Sequence, residues 1–502
     1  MNVLMVYPEF PDTFWSFRHA LRFIHKRAYT PPLGLLTVAA MLPSDWDVRL
    51  RDLNVEPIAR HDLEWADCAF ISAMHVQRAS AQAMIDRCRQ AGVRVVAGGP
   101  LFTHEPQTFE TVDHLILGEA ELVLPGFLDD LRAGRAKHLY RAEGYAPLEQ
   151  SPLPRFELAN RPRYASMGVQ YSRGCPFACE FCDVTALLGR QTRTKSVPQV
   201  LAELDRLADM GWQGRVFFVD DNLIGQLNRV KNELLPALAE WQKRRGPMTF
   251  CSQVSINLAD DPELIERMVQ AGFDTVFVGI ETPDSDALTA CQKHQNTRRD
   301  LLADVRRIQQ AGIQVQGGFI VGFDHESPTI FQRQVSFIQS AGIVSAMVGT
   351  LQAISGTRLH QRLQRESRLL GESTGNNVSG GTNFVTTMDG GLLRQGYAYV
   401  LRSLYAPEAY YRRVRTFLSQ YKRPVVRLPL KMEDVRAFGR SIILLGLLGR
   451  ERLQFWHLLA WTLRHHPRLL STAVGLAIVG RHYRRVCQAI FREPIPELPP
   501  MA

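Results

Sequence analysis

The feature that most constrains this chain is an alternation of short apolar runs with segments of helical period, repeated in two blocks between Val3 and Leu351. In the first block Val3–Tyr7, Val48–Asp52, Cys68–Ser72, Val93–Ala97 and His114–Leu117 read as strands, and Leu33–Leu42, Gln77–Ala91 and Leu122–Arg132 as helices. Such alternation implies a doubly wound parallel sheet that binds ligands at the carboxyl ends of its strands. Those ends are Tyr7-Pro8-Glu9, Ser72-Ala73-Met74, Gly98-Gly99-Pro100 and Gly118-Glu119. After a proline-punctuated stretch, Tyr145 to Pro154, six further strands follow: Met167–Ser172, Val216–Asp220, Thr249–Val254, Thr275–Ile280, Gln314–Val321 and Ala346–Leu351. Helical segments such as Pro198–Met210, Asp261–Ala271, Arg299–Ala311 and Ser327–Ala341 separate them, and the natural packing is a curved, partly closed parallel barrel. The predicted organisation is an α/β unit over 1–140, a linker over 141–165, a partial (β/α)6 barrel over 166–370 and a mostly helical, Arg-rich extension over 371–502. That extension opens on a Gly-, Ser-, Thr- and Asn-rich loop at 371–396.

Hydrophobic residues at 45% and charged residues at 22% of 502 exclude the disordered, collagenous and disulfide-built classes. The net charge of +9 is unevenly placed. Residues 412–492 hold seventeen Lys and Arg against Glu433, Asp434 and Glu451, a local +14 that leaves the rest of the chain at −5. The basic character therefore belongs to the C-terminal module, and no nucleic-acid-binding signature accompanies it. Met1–Phe10 reads as a first strand rather than a signal peptide. The most apolar runs, Ile442–Leu448 and Leu469–Val479, fall short of the roughly 20 residues needed to span a bilayer. The expectation is a cytoplasmic protein whose eight cysteines are thiols or metal ligands.

The sharpest local feature is Cys175-x3-Cys179-x2-Cys182, directly after the first strand of the second block. Three thiolates at this spacing can ligate three irons of a [4Fe-4S] cluster and leave the fourth iron without a protein ligand. The bland alternative is three structural cysteines, or a zinc site one ligand short.

With Gly174 before the run and Phe181 before its last cysteine, the motif resembles the radical S-adenosylmethionine (SAM) superfamily. That resemblance implies that the open iron chelates SAM and that one electron cleaves it to a 5′-deoxyadenosyl radical. Further elements of the superfamily align at successive strand ends. Phe217-Phe-Val-Asp220-Asp221-Asn222 looks like the segment that contacts the SAM amino group. Glu281, in Gly279-Ile-Glu-Thr282, matches a polar SAM contact, and Gly317-Gly318-Phe-Ile-Val-Gly322 resembles the element against which adenine packs. Taken singly, a buried Asp pair is often a cap and strand glycines are often bulges.

An α/β unit ahead of such a core resembles the cobalamin-binding domain of one branch of the superfamily. The matching positions are Pro32, Leu33 and Gly34; Ser72, Ala73 and Met74; Gly98, Gly99, Pro100 and Thr103; and Gly118 with Glu119. Small residues there would let the corrin and its nucleotide tail approach the backbone. The Asp-x-His-x-x-Gly sequence that supplies a lower axial histidine in older cobalamin proteins is absent. His75 is the only tempting substitute, and a strand-end histidine is more often solvated or hydrogen-bonded. The competing reading is a nucleotide or regulatory domain, although the Gly-x-Gly-x-x-Gly turn is missing.

The C-terminal module, with Phe455, Trp456 and Trp461 among its arginines, is what a membrane-surface module looks like; a solvated helical cap is the other reading. Over nearly its whole length the chain is similar to cobalamin-dependent radical SAM enzymes with this extension, a group that includes the hopanoid C-2 methylases. That resemblance implies methylation of an unactivated carbon of an amphiphilic lipid, a hopanoid at C-2 being one candidate, with an electron donor such as flavodoxin or ferredoxin. The basic, amphipathic character of 412–492 adds the expectation of peripheral contact with the inner face of the cytoplasmic membrane. The alternatives are radical cyclisation or rearrangement without methylation, and a cobalamin sensor that does no chemistry. Cys68, Cys88, Cys251, Cys291 and Cys487 stand outside any motif; Cys251, on the third barrel strand, is expected to be a packed thiol.

Overall fold

The computed structural model describes residues 1–376, 378 and 380–490. Residues 491–502, including the end of the basic region, lie outside the described residues. In the N-terminal unit, β1 (Asn2–Tyr7), β2 (Asp47–Asp52), β3 (Cys68–Ser72), β4 (Arg94–Gly98), β5 (His114–Leu117) and β6 (Leu139–Arg141) form one parallel sheet in the order β2-β1-β3-β4-β5-β6. The order reverses between β1 and β3, the switch point at which a doubly wound sheet opens its ligand crevice. Helices Leu33–Met41, Arg78–Gln90 and Ala120–Arg132 cover the faces. The edge strand β6 was not predicted, because three partly exposed residues carry no apolar run.

The second unit contains β7 (Ser166–Val169), the antiparallel pair β8 (Ser172–Arg173) and β9 (Arg193–Thr194), then β10 (Arg215–Phe218), β11 (Thr249–Gln253), β12 (Phe273–Glu281), β13 (Gln314–Val321) and β14 (Ala346–Thr350). Strands β7, β10, β11, β12, β13 and β14 lie side by side in sequence order, all parallel. The sequence reads Met167–Ser172 as one strand, but β7 stops at Val169, and Ser172–Arg173 pairs instead with β9. Because β7 and β14 do not pair, the barrel is open and both edges must be satisfied by something else.

The two ends of the chain do this. At the β7 edge, Ala28 bridges Tyr164, and the amides of Ala165 and Ser166 donate to the carbonyls of Ala28 (3.1 Å) and Tyr29 (2.8 Å). At the β14 edge the C-terminal helices supply donors. The Tyr397 hydroxyl bonds the Val348 carbonyl at 3.1 Å, the Tyr405 hydroxyl bonds that of Ala346, and Arg413 reaches the carbonyls of Leu404 (3.0 Å) and Val344 (3.4 Å). Helix Gly390–Tyr405 carries both tyrosines and begins inside the stretch predicted as a loop to residue 396. Its start is fixed by the Asp389 side chain, which accepts from the Leu392 amide at 2.8 Å, and buried Leu393 and Tyr397 outweigh the poor helix propensity of Gly390 and Gly391. Helices Pro407–Gln420, Met432–Ser441, Arg452–His465 and Leu470–Ile490 complete the module. The last of them packs Tyr483 on Phe14, with ring centroids 5.5 Å apart. Among the described residues no helix is long and apolar enough to cross a membrane.

Replacing Tyr405 by Phe removes a buried donor and leaves the Ala346 carbonyl unpaired. A loss of about 1–3 kcal/mol is expected in anaerobic denaturant unfolding of Tyr405→Phe, without a change in slope.

Candidate functional site

The three-cysteine loop is suspended between the barrel and the N-terminal unit. Asp220, just past β10 and fully buried, accepts from the Tyr171 amide (3.2 Å), the Ser172 amide and the Ser172 hydroxyl (2.6 Å). Gly174 has φ +89°, and a Cβ there would lie 2.7–3.0 Å from the carbonyls of Leu188, Gly189 and Gln191, so only glycine fits. The Cys175 amide donates to the Gly189 carbonyl at 3.2 Å and the Glu180 amide to the Cys291 carbonyl at 2.9 Å, while the Glu180 carboxylate pairs with Arg362 at 2.5 Å. Two further ion pairs reach across to the N-terminal unit. Arg173 forks onto Glu121 (2.8 and 3.1 Å) and Arg193 onto Glu119 (2.6 and 2.8 Å), one on each strand of the hairpin that frames the loop.

Burial pushes the Cys175 and Cys182 thiols up, which disfavours free thiolates and suits sulfurs that share their charge with a metal centre. The Lys293 ammonium acts against that rise. Burial works against the ammonium itself, but the Glu281 carboxylate and the Cys179 sulfur outweigh it and hold its pKa above the usual range. Lys293 Nζ lies 2.5 Å from Glu281 Oε1 and 5.8 Å from the Phe181 ring centroid, and Gln295 Nε2 lies 3.5 Å from Cys179 Sγ. Glu281 ends β12 with φ +65°, where the register with β13 slips. A left-handed non-glycine residue costs on the order of 1–3 kcal/mol and persists where its surroundings over-determine it. Lys293 and Gln295 carry no motif, which is why sequence reasoning missed them.

The other predicted SAM positions divide by how their side chains are engaged. Asn222 Oδ1 accepts from the Ser255 amide at 3.1 Å and Asp220 is committed to the loop, whereas Asp221 is pushed up to about 7 by burial and by Asp220 and Asp183. Gly317 and Gly318 have no room for a Cβ, which would sit 2.6 Å from the rings of Phe319 and Phe277 respectively. Gly322, at φ +104°, donates its amide to Glu326 Oε2 at 2.8 Å, and the Thr282 hydroxyl reaches Glu326 Oε1 at 2.9 Å. Glu326, not singled out from the sequence, thus ties the ends of β12 and β13 together. A cavity of about 110 Å3 at these strand ends is lined by Glu281, Gly318, Phe277 and Met347 and covered by Phe14 and Trp15.

In the N-terminal unit a Cβ at Gly34 would meet nothing within 4 Å, so the backbone at the start of helix Leu33–Met41 is bare. Pro32 precedes that helix, Leu33 lies against Gly168 of β7, and Met74 is 48% exposed. A Cβ at Gly98 would meet the Ile116 carbonyl at 2.9 Å, and one at Gly99 would meet Ser72 Oγ at 2.6 Å; the Ala73 carbonyl and Pro100 hold the following turn. The Thr103 hydroxyl is taken by the Gly118 amide at 3.1 Å, and Glu119 by Arg193 and the Ala146 amide. Gly34 thus leaves a bare backbone ledge at the helix start, whereas Gly98 and Gly99 are required by the close approach of Ile116 and Ser72. His75 is buried against Glu105 rather than solvated. Cys251 packs in the barrel, 3.6 Å from the Tyr29 hydroxyl.

Comparison with known proteins agrees with this architecture. Residues 23–128 match the model of the B12 binding domain, 169–335 that of the radical SAM superfamily and 357–494 that of a domain of unknown function (DUF4070). The chain is a radical SAM protein with a B12-binding domain. It is 38% identical to the uncharacterized methyltransferase sll1242 of Synechocystis sp., over 98% of this chain and 93% of the relative. It is also 38% identical to the hopanoid C-2 methylase of Rhodopseudomonas palustris, over 74% of this chain and 71% of the relative. It belongs to the family of these proteins. The structure of the cobalamin-dependent radical SAM enzyme OxsB superposes with a TM-score of 0.61 at 15% identity, covering 98% of this chain and 80% of that one, and so shares the fold. TsrM from Kitasatospora setae superposes at 0.57 and 15% identity, covering 96% and 99%.

Burial pushes Glu326 up to about 7 from 4.5, so the folded state binds its proton more tightly than the unfolded one. The stability this group contributes is complete below pH about 4.5 and lost as pH rises through about 7. Glu326→Gln should remove about 2–3 kcal/mol of wild-type stability loss between pH 5 and 8, read from paired denaturation curves.

Proposed function

We propose that this protein methylates an unactivated carbon of an amphiphilic polycyclic lipid, with a hopanoid methylated at C-2 as the first substrate to test. The observation that carries this reading is the three-cysteine loop, clamped to the B12-type unit by Arg173–Glu121 and Arg193–Glu119. The clamp keeps one cofactor site in fixed register with the other, as transfer between them requires. The 38% identity to the hopanoid C-2 methylase supports the choice of lipid. Phe14, Trp15, Phe277, Phe319 and Met347 at the barrel mouth offer an apolar substrate a largely apolar lining, with Glu281 as its one charged group.

Cys175, Cys179 and Cys182 would hold a [4Fe-4S] cluster, and the ledge at Gly34 with the strand ends at Ser72, Ala73, Gly98 and Gly99 would take cobalamin. When bound, these groups supply one-electron cleavage of SAM and carriage of a methyl group. The chain's own residues bind and orient. The buried Lys293–Glu281 pair sets a positive and a negative group side by side, complementary to the zwitterionic methionine end of SAM. Gly317, Gly318 and Gly322 keep the β13 end flat for adenine, Phe181 closes one side, and Phe14 with Trp15 keep water from the barrel mouth. A one-electron donor such as flavodoxin or ferredoxin would serve as reductant.

The C-terminal module gives the substrate a route. Of the twenty large apolar side chains that stand exposed among the described residues, eleven lie between Val425 and Leu463, with Leu430 at 79% and Leu448 at 74%. Exposed Lys431, Arg436, Arg450 and Arg452 are interspersed with them. This pattern suits a surface that rests on the anionic inner face of the cytoplasmic membrane, from which a lipid can be drawn.

Alanine at any one of Cys175, Cys179 or Cys182 is expected to abolish 5′-deoxyadenosine formation and methylation together. Lys293→Gln should retain the cluster while raising the SAM concentration needed for half-maximal turnover by about tenfold, the loss of one charge-assisted contact. Wild type given a hopanoid and isotope-labelled SAM should yield labelled C-2-methyl product and S-adenosylhomocysteine. A rearranged or cyclised product without label would replace methyl transfer with the alternative radical chemistry.

A further inference from the structure

Two imidazoles and a carboxylate converge where the N-terminal unit meets the cysteine loop. His75 follows β3, His104 ends the short helix Pro100–His104 after β4, and Asp183 directly follows Cys182. One ligand atom of each lies within 4.8 Å of the other two. The His75 side chain is 7% exposed; its Nδ1 sits 3.1 Å from Glu105 Oε1, Arg78 pairs with the same carboxylate, and its Nε2 is buried without a partner. His104 stands beside it, with ring centroids 5.1 Å apart; its ring bonds the Ser355 backbone, and its Nε2 is likewise buried without a partner.

A neutral imidazole carries one N–H and one lone pair. With each N–H spent on Glu105 or on the Ser355 backbone, both Nε2 lone pairs are left without a donor, in a cluster that also includes the Asp183 carboxylate. Two buried acceptors beside a partly exposed carboxylate, with no donor given to either imidazole Nε2, are an unfavourable set, each unmet buried nitrogen costing about 1–3 kcal/mol. A cation at their centre satisfies all three. A carboxylate on Nδ1 with Nε2 left free is also how ligating histidines are commonly oriented. The other His and Asp convergence, Asp12, His19 and His482, lacks this property. His19 Nε2 already bonds Asp12 at 2.6 Å, and His482 Nε2 bonds the Phe14 carbonyl at 3.1 Å.

We propose that His75, His104 and Asp183 form a binding site for a divalent transition-metal ion of the zinc or ferrous class, with water completing the shell. The donor set suits those ions, and bonds of about 2.0–2.2 Å require the three groups to close by about 1 Å. The site is distinct from the three cysteines and stands whether or not the chain methylates a lipid. It fastens the strand ends of β3 and β4 to the residue after Cys182, adding a third tie between the two units beside the two Arg–Glu forks.

The test uses anaerobic protein loaded with cluster and cobalamin, so that the cysteines are occupied. One equivalent of Zn2+ is added, unbound metal is removed by gel filtration, and zinc, iron and cobalt are counted together by mass spectrometry. Wild type should retain one zinc per chain, and His75→Ala, His104→Ala and Asp183→Asn should retain several-fold less with iron and cobalt unchanged. His75→Gln and His104→Asn serve where alanine disturbs folding, the iron and cobalt counts reporting an intact holoprotein. Wild type without zinc, or zinc undiminished in the histidine variants, overturns the proposal. So does nitrogen hyperfine splitting in the cob(II)alamin electron paramagnetic resonance spectrum that vanishes in His75→Gln, since that imidazole would then belong to cobalt.

Discussion

Everything in this structure depends on holding three thiols together on a loop that would otherwise have no reason to bury them. Burial makes the Cys175 and Cys182 sulfurs poorer anions, so the loop cannot be shaped by its own chemistry and must be shaped from outside. The chain uses fixed, directional contacts for this: the Asp220 carboxylate on the loop's entry, a glycine wedged among three carbonyls, and an arginine on each framing strand. None is a long-range field. Each sets a position to within a hydrogen bond, the precision that ligation of an inorganic cluster demands.

A second constraint follows from the open barrel. A sheet of six parallel strands that does not close leaves two edges, and a free edge invites aggregation. Here the edges are met by segments more than 350 residues apart in the chain, Ala28–Tyr29 on one side and Tyr397, Tyr405 and Arg413 on the other. The C-terminal helices therefore belong to the barrel's integrity as well as to the surface it presents. The same helices bring Tyr483 and His482 against the Phe14 segment, which lies over the barrel mouth. Cofactor unit, barrel and extension are in this way mechanically continuous.

Much of this was legible in the sequence because it is local. Short apolar runs alternating with period-3.6 segments marked both parallel sheets, and the spacing of Cys175, Cys179 and Cys182, with Gly174 and Phe181, marked the loop as the candidate site. Strand ends in the first sheet were legible to within about one residue, whereas in the barrel β7 ended three residues and β10 two residues before the expected ends. What stayed hidden depends on distant partners. Lys293 becomes interesting only once Glu281 and Cys179 are beside it, and Glu326 only once Gly322 and Thr282 point at it. Asp220 was visible as a carboxylate at a strand end, but its commitment to Ser172 was not. The Gly390 helix start was masked by glycines whose cost is met by tertiary burial, and β6 by having too few residues to show a period.

The most direct test of the account is Mössbauer spectroscopy of anaerobically reconstituted, 57Fe-labelled protein, recorded with and without SAM. A loop offering three sulfurs predicts one iron in four that is distinct from the rest and changes its parameters when SAM is added. Four equivalent irons, or a spectrum indifferent to SAM, would contradict the account.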